Sequence, residues 1–430
     1  MKLHRHRAAL VTIVVGALVA AACTSNEPEP PENQAAVDEP QTIDIWAFEG
    51  EADFLPKLIA AFEKEHPNIT VKLTNIPEDN YVTKIDTALA AGSPPDLGYL
   101  YETRWITAGR ILPIDDVIAS ENIDVSQFNQ NAFSGCVVNG ETYCLGSYTG
   151  AILMFYNKDL FDEAGEPYPS ATEPMTVDEY AALAERLTQQ SDDRSDYVWG
   201  GFAEPTDWWM DWRVLFSEDG RSVEGYLNDA PTVHMYDVLA TMVRDGTSPT
   251  ETDFEFFGDT DPLATGQMAM TFIDNVVAIP TLEKAEIPWG AAPTPVEKEG
   301  DLPWVGSWTD SWSVFSDTDQ AEAAKAFIGF VATEGNRLRA RAGQQPLNNV
   351  IAEEEDWAGE SPGRADVLEV ANLARPNIFL PANIFTLDGP LWDAFSLMVE
   401  ENMSAQEAMD QAATDIQSNL DRAWSTYEQI

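Results

Sequence analysis

Residues 41–101 read QTIDIWAFEGEADFLPKLIAAFEKEHPNITVKLTNIPEDNYVTKIDTALAAGSPPDLGYLY. Alternating or apolar runs at 41–48, 69–73 and 96–101 predict three β-strands, and helical periodicity predicts one helix in each interval between them. A strand–helix–strand order is typical of a parallel sheet with helical crossovers. The predicted fold class is therefore α/β, in which ligands bind beyond the carboxyl ends of the strands.

The rest of the chain continues this mixture of helices and strands. Its 430 residues, of which 44% are hydrophobic and 10% aromatic, are enough for two domains with cores of their own. Thr176 and Glu179 have the spacing of a capping box at the start of a helix. The remaining predicted elements are strands at 151–156 and 268–273 and helices at 176–189, 236–244, 320–332 and 402–424.

The charge of the chain excludes several classes of partner. Its 73 acidic residues outnumber 24 basic ones, which gives a formal net charge of −49. Such a surface repels phosphate backbones and anionic lipid headgroups, so we expect neither nucleic-acid binding nor electrostatic binding to a membrane.

The first 40 residues are predicted to be a targeting segment and a tether. Residues 1–22 carry a basic start and an apolar run too short to span a bilayer, which is typical of a signal peptide. The sequence Ala-Ala-Ala-Cys that ends at Cys23 resembles a bacterial lipobox, in which this cysteine becomes lipidated; the alternative is an ordinary cleavage site. Residues 23–40 are rich in Pro and Glu, as in an extended linker.

Two further cysteines, Cys136 and Cys144, flank a hairpin signal at Asn139-Gly140. A two-residue loop would leave the cysteines offset by one position, whereas a three-residue loop, 139–141, would place them opposite each other. We expect the three-residue loop and a disulfide, because an exported protein folds in an oxidising compartment. The alternative is a pair of buried thiols.

Seven segments occur in an order that points to one family. They are TIDIWAFEG with HPNITVKL, AGSPPDLGYL with GRILPIDD, NGETYCLGSYTGAILMFYNKDLFDEAG, EPMTVDEYAALAERLT, GQMAMTF, PWG followed by two prolines, and SAQEAMDQAATDIQ. Together they resemble the solute-binding proteins of bacterial ABC importers, the family that includes the maltodextrin-binding proteins. The resemblance runs from about residue 41 to residue 430. Cys144-Leu145-Gly146 departs from it, because the family has a proline-containing step there.

The resemblance implies a two-lobed periplasmic-binding-protein-like fold, with several strands crossing between the lobes and a cleft between them. By analogy, the first lobe would take residues 41–154 and 302–348, and the second would take 155–301 and 349–430. Proteins of this family close on their ligand by a hinge motion.

The function that the resemblance implies is capture of a carbohydrate, from a mono- to an oligosaccharide, and its delivery to the transmembrane subunits of an ABC permease. The protein would be a monomer without enzymatic activity. It would stand outside the cell membrane and be held there only by a lipid on Cys23, or be secreted if that cysteine is not lipidated.

Sugars are bound by aromatic faces, which cover the CH-rich face of the ring, and by polar side chains, which hydrogen-bond to the hydroxyls. Position in the family pattern and location after strand ends select one set of candidate ligand contacts. They are Phe48, Glu49, Tyr101, Glu102, Tyr148, Thr149, Glu204, Asp207, Trp208, Trp209, Asp274, Asn275, Trp308, Asp310 and Arg375. Each carboxylate in this set has the alternative of being a solvated surface group, and Arg375 that of a structural ion-pair partner.

Two other functions remain open on the sequence. A binder of a polyamine or a peptide would suit the acidic surface, and a secreted glycoside hydrolase would also carry tryptophans and paired carboxylates. No cofactor and no metal site are expected, because the chain has no P-loop, CxxC, GxSxG or HExxH motif.

Overall fold

The computed structural model describes most of the chain beyond the predicted tether. The described residues are 40–51, 53–203, 215–258, 260–301, 303, 305–373, 380–381 and 385–428, with the backbone alone for 385–388. The predicted signal peptide, Cys23 and the tether up to residue 39 lie outside these residues. Within them, none of the helices combines the length and the apolarity that a membrane span requires.

Ten strands are present in the described residues. They are β1 (Gln41–Phe48), β2 (Ile69–Ile76), β3 (Leu97–Tyr99), β4 (Val137–Val138), β5 (Glu141–Thr142), β6 (Gly150–Asn157), β7 (Met270–Asp274), β8 (Trp289–Ala292), β9 (Ser307–Trp308) and β10 (Trp312–Val314).

The helices of the described residues surround these strands. They are α1 (Leu55–Glu65), α2 (Glu78–Ala91), α3 (Thr103–Thr107), α4 (Asp115–Ser120), α5 (Gln130–Ser134), α6 (Lys158–Ala164), α7 (Val177–Leu187), α8 (Ala230–Arg244), α9 (Glu251–Phe257), α10 (Asn275–Ala285), α11 (Ala321–Phe330), α12 (Asn336–Arg341), α13 (Asn349–Glu354), α14 (Pro362–Ala371), α15 (Phe385–Glu400) and α16 (Ala405–Tyr427).

The first sheet has the strand order β10-β3-β1-β2. Strands β1, β2 and β3 are parallel and are connected by α1 and α2, which confirms the strand–helix pattern predicted for this region. Alternate residues of β1, Ile43, Ile45 and Ala47, are fully buried in the core of this lobe. Helix α2 ends at Ala91 and is capped by Gly92, whose φ of 67° is the left-handed conformation that glycine adopts without strain.

The second sheet is built around β6, which pairs with β7, β8 and β9 in antiparallel fashion. Every residue of β6 is buried, because both faces of the strand are covered. Met154 and its alternate neighbours face one hydrophobic cluster, whereas Leu153 and its alternate neighbours face another. The molecule thus has two lobes with separate cores, as the family resemblance implied.

The chain passes from one sheet to the other at two crossings. The first crossing precedes Gly150, where β6 begins to pair with the strands of the second sheet. The second crossing is the segment 309–311, because β9 before it pairs with β6 and β10 after it pairs with β3. The lobe boundaries given above stay predictions.

The loop of the hairpin β4–β5 is shorter than the sequence predicted. Val138 pairs with Glu141, so the loop is the two residues Asn139-Gly140 and not the predicted three. Both loop residues have positive φ, which is the geometry that an Asn-Gly pair favours. Cys136 and Cys144 are nevertheless joined in a disulfide, since an offset of one position still leaves their Cα atoms 4.9 Å apart.

Candidate ligand-binding site

Three carboxylates from the two lobes share one region at the ends of their strands. Phe48 and Ile76 end β1 and β2 side by side, so Glu51 and Glu78 both follow the same edge of the first sheet. Asp274 ends β7 of the second lobe, and its Oδ1 accepts a hydrogen bond of 2.8 Å from the Val276 amide. Burial raises the pKa of Asp274 to about 7, and the negative charges of Glu78 and Glu51 add to this rise.

Aromatic rings of the first lobe adjoin these carboxylates. The half-buried ring of Phe48 lies against Tyr101 at a centroid distance of 5.5 Å and against Tyr99 at 4.8 Å. The Tyr101 hydroxyl donates a 3.0 Å hydrogen bond to Glu78 Oε1. Aromatic rings and carboxylates therefore lie together at one edge of the first sheet. In sugar-binding sites, rings pack against the CH-rich face of the sugar and carboxylates accept hydrogen bonds from its hydroxyls.

Tyr148 approaches the same region from the first crossing between the lobes. Burial raises the pKa of its hydroxyl well above the ordinary value, and the charges of Glu51 and Asp310 raise it further. Its ring is stacked by the guanidinium of Arg339, whose Cζ lies 4.8 Å from the ring centroid. Asp274 also acts on Tyr148, so this tyrosine lies within electrostatic reach of carboxylates from both lobes.

A buried arginine, Arg339, contacts the carboxylates of this region from the protein interior. Arg339 is fully buried, and its Nη2 lies 2.8 Å from Glu51 Oε2 and 3.2 Å from Asp310 Oδ2. Its Nε donates to the hydroxyl of Ser147 at 2.9 Å. Burial raises the pKa of Glu51, while the positive charge of Arg339 opposes that rise. We name Glu51, Ser147, Asp310 and Arg339 the crossing network, because Ser147 and Asp310 lie on two crossings between the lobes.

The structure places Asp310, a predicted ligand contact, inside the crossing network. Its side chain is 1% exposed. Its carboxylate accepts hydrogen bonds from the amide and hydroxyl of Ser147, at 2.5 and 2.6 Å, and from Trp312 Nε1 at 3.1 Å. These bonds, together with one of 3.3 Å from the Tyr148 amide, make Asp310 a positioning residue for Ser147 and Tyr148. Its contact with a ligand stays a prediction.

Thr149 and Asn275, also predicted as ligand contacts, are buried supports. Thr149 is fully buried, and Asn275 is 1% exposed. The Asn275 side chain accepts from the Ala151 amide at 3.0 Å and donates to the Thr149 carbonyl and to Gln345 Oε1, both at 3.2 Å. These bonds fix the start of α10, and with it Asp274, against the crossing strand.

The remaining predicted contacts are exposed, packed within the protein, or outside the described residues. Glu49 is exposed in the short turn Glu49–Glu51, and buried Glu102 pairs with Arg104 at 3.3 Å. Trp308 is half-buried with its indole over Gly150, where a Cβ atom would collide with it. The predicted contacts outside the described residues are Glu204, Asp207, Trp208, Trp209 and Arg375.

The sequence pattern missed Glu51, Glu78 and Arg339. Glu51 follows the predicted strand 41–48 by three residues, and Glu78 follows the predicted strand 69–73 by five, because β2 extends to Ile76. A wider window after each strand would have included both. Arg339 had no such signal, because its burial depends on helix α12 and on carboxylates far away in the sequence. Among the described residues, no three His, Cys, Asp or Glu side chains are placed to hold a metal ion.

The model of the bacterial extracellular solute-binding protein family matches residues 49–338. The chain belongs to this family. This solute-binding protein is 23% identical over 314 residues to an arabinooligosaccharide-binding protein of Halalkalibacterium halodurans, covering 66% of each chain. It is 21% identical to a maltooligosaccharide ABC transporter solute-binding lipoprotein of Streptococcus pneumoniae, covering 96% of each chain.

A solved structure with the same fold is an ABC substrate-binding protein of Listeria monocytogenes in complex with cycloalternan. Its TM-score to this solute-binding protein is 0.74 at 22% identity, with 89% of this chain and 99% of that chain covered. The two-lobed fold is thereby shown.

Proposed function

We propose that this solute-binding protein captures a carbohydrate, from a mono- to an oligosaccharide, between its two lobes by hinge closure. The observation that carries this proposal is the convergence of Tyr101, Glu78 and Glu51 of the first lobe with Asp274 of the second. Rings of this edge would cover the CH face of a sugar, and the carboxylates would accept hydrogen bonds from its hydroxyls. Because the contacts come from both lobes, ligand binding would favour the closed form.

The names of the relatives support a sugar over other solutes. The two curated relatives described above are named for arabino- and maltooligosaccharides, and the solved structure holds a cyclic oligosaccharide. We extend this chemistry to the present chain, and we retain Glu204, Asp207, Trp208, Trp209 and Arg375 as proposed contacts in the second lobe.

The proposed route of the ligand ends at the transmembrane subunits of an ABC permease. We propose export by residues 1–22 and anchoring through a lipid on Cys23, in line with the lipoprotein of Streptococcus pneumoniae. The protein would act as a monomer and as a binder, with no catalytic step.

Calorimetric titration of the exported protein with maltose, raffinose, arabinotriose and their component monosaccharides tests this proposal. We expect at least one sugar to bind, and the radius of gyration in solution scattering to fall on binding. Tyr101→Ala should weaken binding about tenfold or more, since an aromatic contact in a binding site accounts for 1–2 kcal/mol or more, as an order of magnitude.

The control variant is Tyr168→Ala. Tyr168 also donates to a carboxylate, Asp162 at 2.7 Å, but it is exposed on the second lobe. Its loss should leave the affinity unchanged. Binding of a polyamine or a peptide with no response to any sugar would overturn the proposal, and so would hydrolysis of an aryl glycoside.

A further inference from the structure

The first crossing runs antiparallel beside the segment 344–348, and Tyr148 lies opposite Pro346 there. Backbone hydrogen bonds flank this pair on both sides. On one side, the Ser147 carbonyl accepts from the amide of the residue after Pro346 at 3.3 Å. On the other side, the Thr149 amide donates to the carbonyl of the residue before Pro346 at 2.8 Å. Tyr148 and Pro346 are therefore a non-hydrogen-bonded pair between two bonded positions.

Arg339 holds the Ser147 side of this pair to the first lobe. Its Nε donates to the Ser147 hydroxyl at 2.9 Å, and its Nη2 lies 2.8 Å from Glu51 Oε2. Its guanidinium also stacks on the ring of Phe54, with the Cζ atom 3.6 Å from the ring centroid. Because Phe54 belongs to the core of the first lobe, Arg339 fixes the position of Ser147 relative to that lobe.

Asn275 holds the Thr149 side of the pair to the second lobe. Its side-chain amide donates to the Thr149 carbonyl and to Gln345 Oε1, both at 3.2 Å, and its Oδ1 accepts from the Ala151 amide at 3.0 Å. Asn275 begins α10, and Ile279 of this helix is buried in a core of the second lobe. The first crossing thus passes from one anchor to the other between Ser147 and Thr149.

The second crossing changes its anchor at the same level. Asp310 accepts a 2.6 Å hydrogen bond from the Ser147 hydroxyl, on the side of the first lobe. Trp308, two residues earlier, pairs with Gly150 of β6 in the second sheet. Thr309 lies between these two positions, so both crossings pass from one lobe to the other over a single intervening residue.

Resting on the proposed closure of the lobes, but not on the nature of the ligand, we infer that the lobes rotate about the pair Tyr148 and Pro346, with Thr309 beside it. A hinge concentrates its φ and ψ changes in a few residues. Rotation at a non-hydrogen-bonded pair leaves the flanking hydrogen bonds and both anchors, Arg339 and Asn275, in place. Pro346 limits the rotation, because its ring fixes φ at about −65°.

Distances between two spin labels in the sugar-free protein test this inference. The exported protein with Cys23→Ser carries the labels at Lys64→Cys on α1 and Asp415→Cys on α16, which are exposed positions in the two lobes. A rotation of about 15° moves a label that is about 20 Å from the axis by about 5 Å. Pro346→Gly should broaden the distance distribution by about this amount, because glycine adopts φ values that proline excludes.

Each hinge variant has a matched control. Pro293→Gly replaces a buried proline that follows β8 within the second lobe, and it should leave the distribution unchanged. Asn275→Ala should broaden the distribution, because it releases the anchor of the second lobe. Asn157→Ala should not, since Asn157 is equally buried but bonds to backbone groups of the second lobe at the other end of β6. If Pro346→Gly does not fold, Pro346→Ala takes its place with the same expectation.

The outcomes separate the hinge from the carbohydrate function. Broadening in both hinge variants and in neither control supports the hinge, whether or not any sugar binds. A distribution that stays narrow in either hinge variant would overturn the assignment, and so would equal broadening in the matched control. The absence of sugar binding in the titrations described above would overturn the carbohydrate function alone.

Discussion

Replacing Arg339 with methionine should destabilise the first lobe strongly, because the buried guanidinium neutralises Glu51 and Asp310. Methionine retains much of the side-chain length but removes the charge and five donors. Removing one partner of a buried ion pair costs about 3–5 kcal/mol in the free energy of unfolding, since the remaining carboxylates are left without a counter-charge.

The corresponding shift in melting temperature follows from the size of the folded unit, Pro40–Ile430. With an unfolding entropy of about 2.1 cal/mol/K per residue, the whole unit has roughly 0.8 kcal/mol/K, so Tm should fall by about 4–6 °C. The fall should depend on pH. Burial raises the pKa of Glu51 and Arg339 opposes this rise, so without Arg339 the pKa is higher still. Protonation at pH 5 then removes part of the repulsion, and the loss of stability should be greater at pH 8 than at pH 5.

Differential scanning calorimetry at the two pH values measures both effects. The matched control is Arg337→Met on the same helix, where the side chain is 33% exposed and pairs with Glu354 at 2.6 Å. An exposed pair contributes about 1 kcal/mol or less. Equal losses for the two variants, or an Arg339→Met loss that is the same at pH 5 and pH 8, would refute the role of the crossing network.

Three further predictions rest on the described residues. The folded state binds the Asp274 proton more tightly than the unfolded state, so stability falls as pH rises from about 4 to about 7. Asp274→Asn should increase the free energy of unfolding at pH 8, but not at pH 4, by on the order of 1 kcal/mol in thermal melts. Reduction of the disulfide between Cys136 and Cys144 should lower the free energy of unfolding by about 2–3 kcal/mol. Urea titrations with and without a reductant measure this loss, and an unchanged midpoint would contradict it. Gly146→Ala should destabilise the protein by about 1–3 kcal/mol in the same titrations, because a Cβ atom there collides with Thr309 and Asp310; an unaffected variant would mean that the crossing adapts.

The sequence was sufficient for the general architecture and for the three parallel strands of the first sheet, but it did not predict the antiparallel edge strand β10. Strands β1 and β2 and helices α1 and α2 could be predicted because each has a strong local period and clear ends. The capping box at Thr176 and Glu179 is present for the same reason, since its two hydrogen bonds are formed within four residues. These features depend on short-range interactions, which the linear sequence displays directly.

The helix predicted at 320–332 shows where local patterns fail. It continues through the π-helical segment Val331–Gly335 into α12, which ends at Arg341. Asn336, just after this segment, is fully buried and donates to the carbonyls of Gly146 and Val331, at 3.1 and 3.2 Å. Neither the extra turn nor the inward direction of Asn336 follows from periodicity, because both depend on partners in a distant crossing.

The candidate site was predicted in part, for a related reason. Phe48, Tyr101 and Tyr148 adjoin the carboxylates at the strand ends, and Asp274 is one of those carboxylates. Asp310 also stands among aromatic and polar residues in the sequence, as the other predicted contacts do. In the structure, however, its contacts with buried Arg339 and with the Ser147 amide determine its role. Which carboxylates face a ligand and which face the protein is decided by long-range contacts that no spacing rule contains.

The pairing of Trp312 with Tyr99 has a consequence for the order in which this protein can form during synthesis and export. Strand β10 can complete the first sheet only after nearly three quarters of the chain has been synthesised. Much of the second lobe lies in the sequence between β3 and β10. An amino-terminal fragment released early would therefore expose an unfinished β3, and its folding must await the arrival of distant residues. Such long-range closure slows folding, because the entropy of the intervening chain must be lost before β3 and β10 can pair, and it prolongs the time for which the unpaired edge of β3 is open to aggregation.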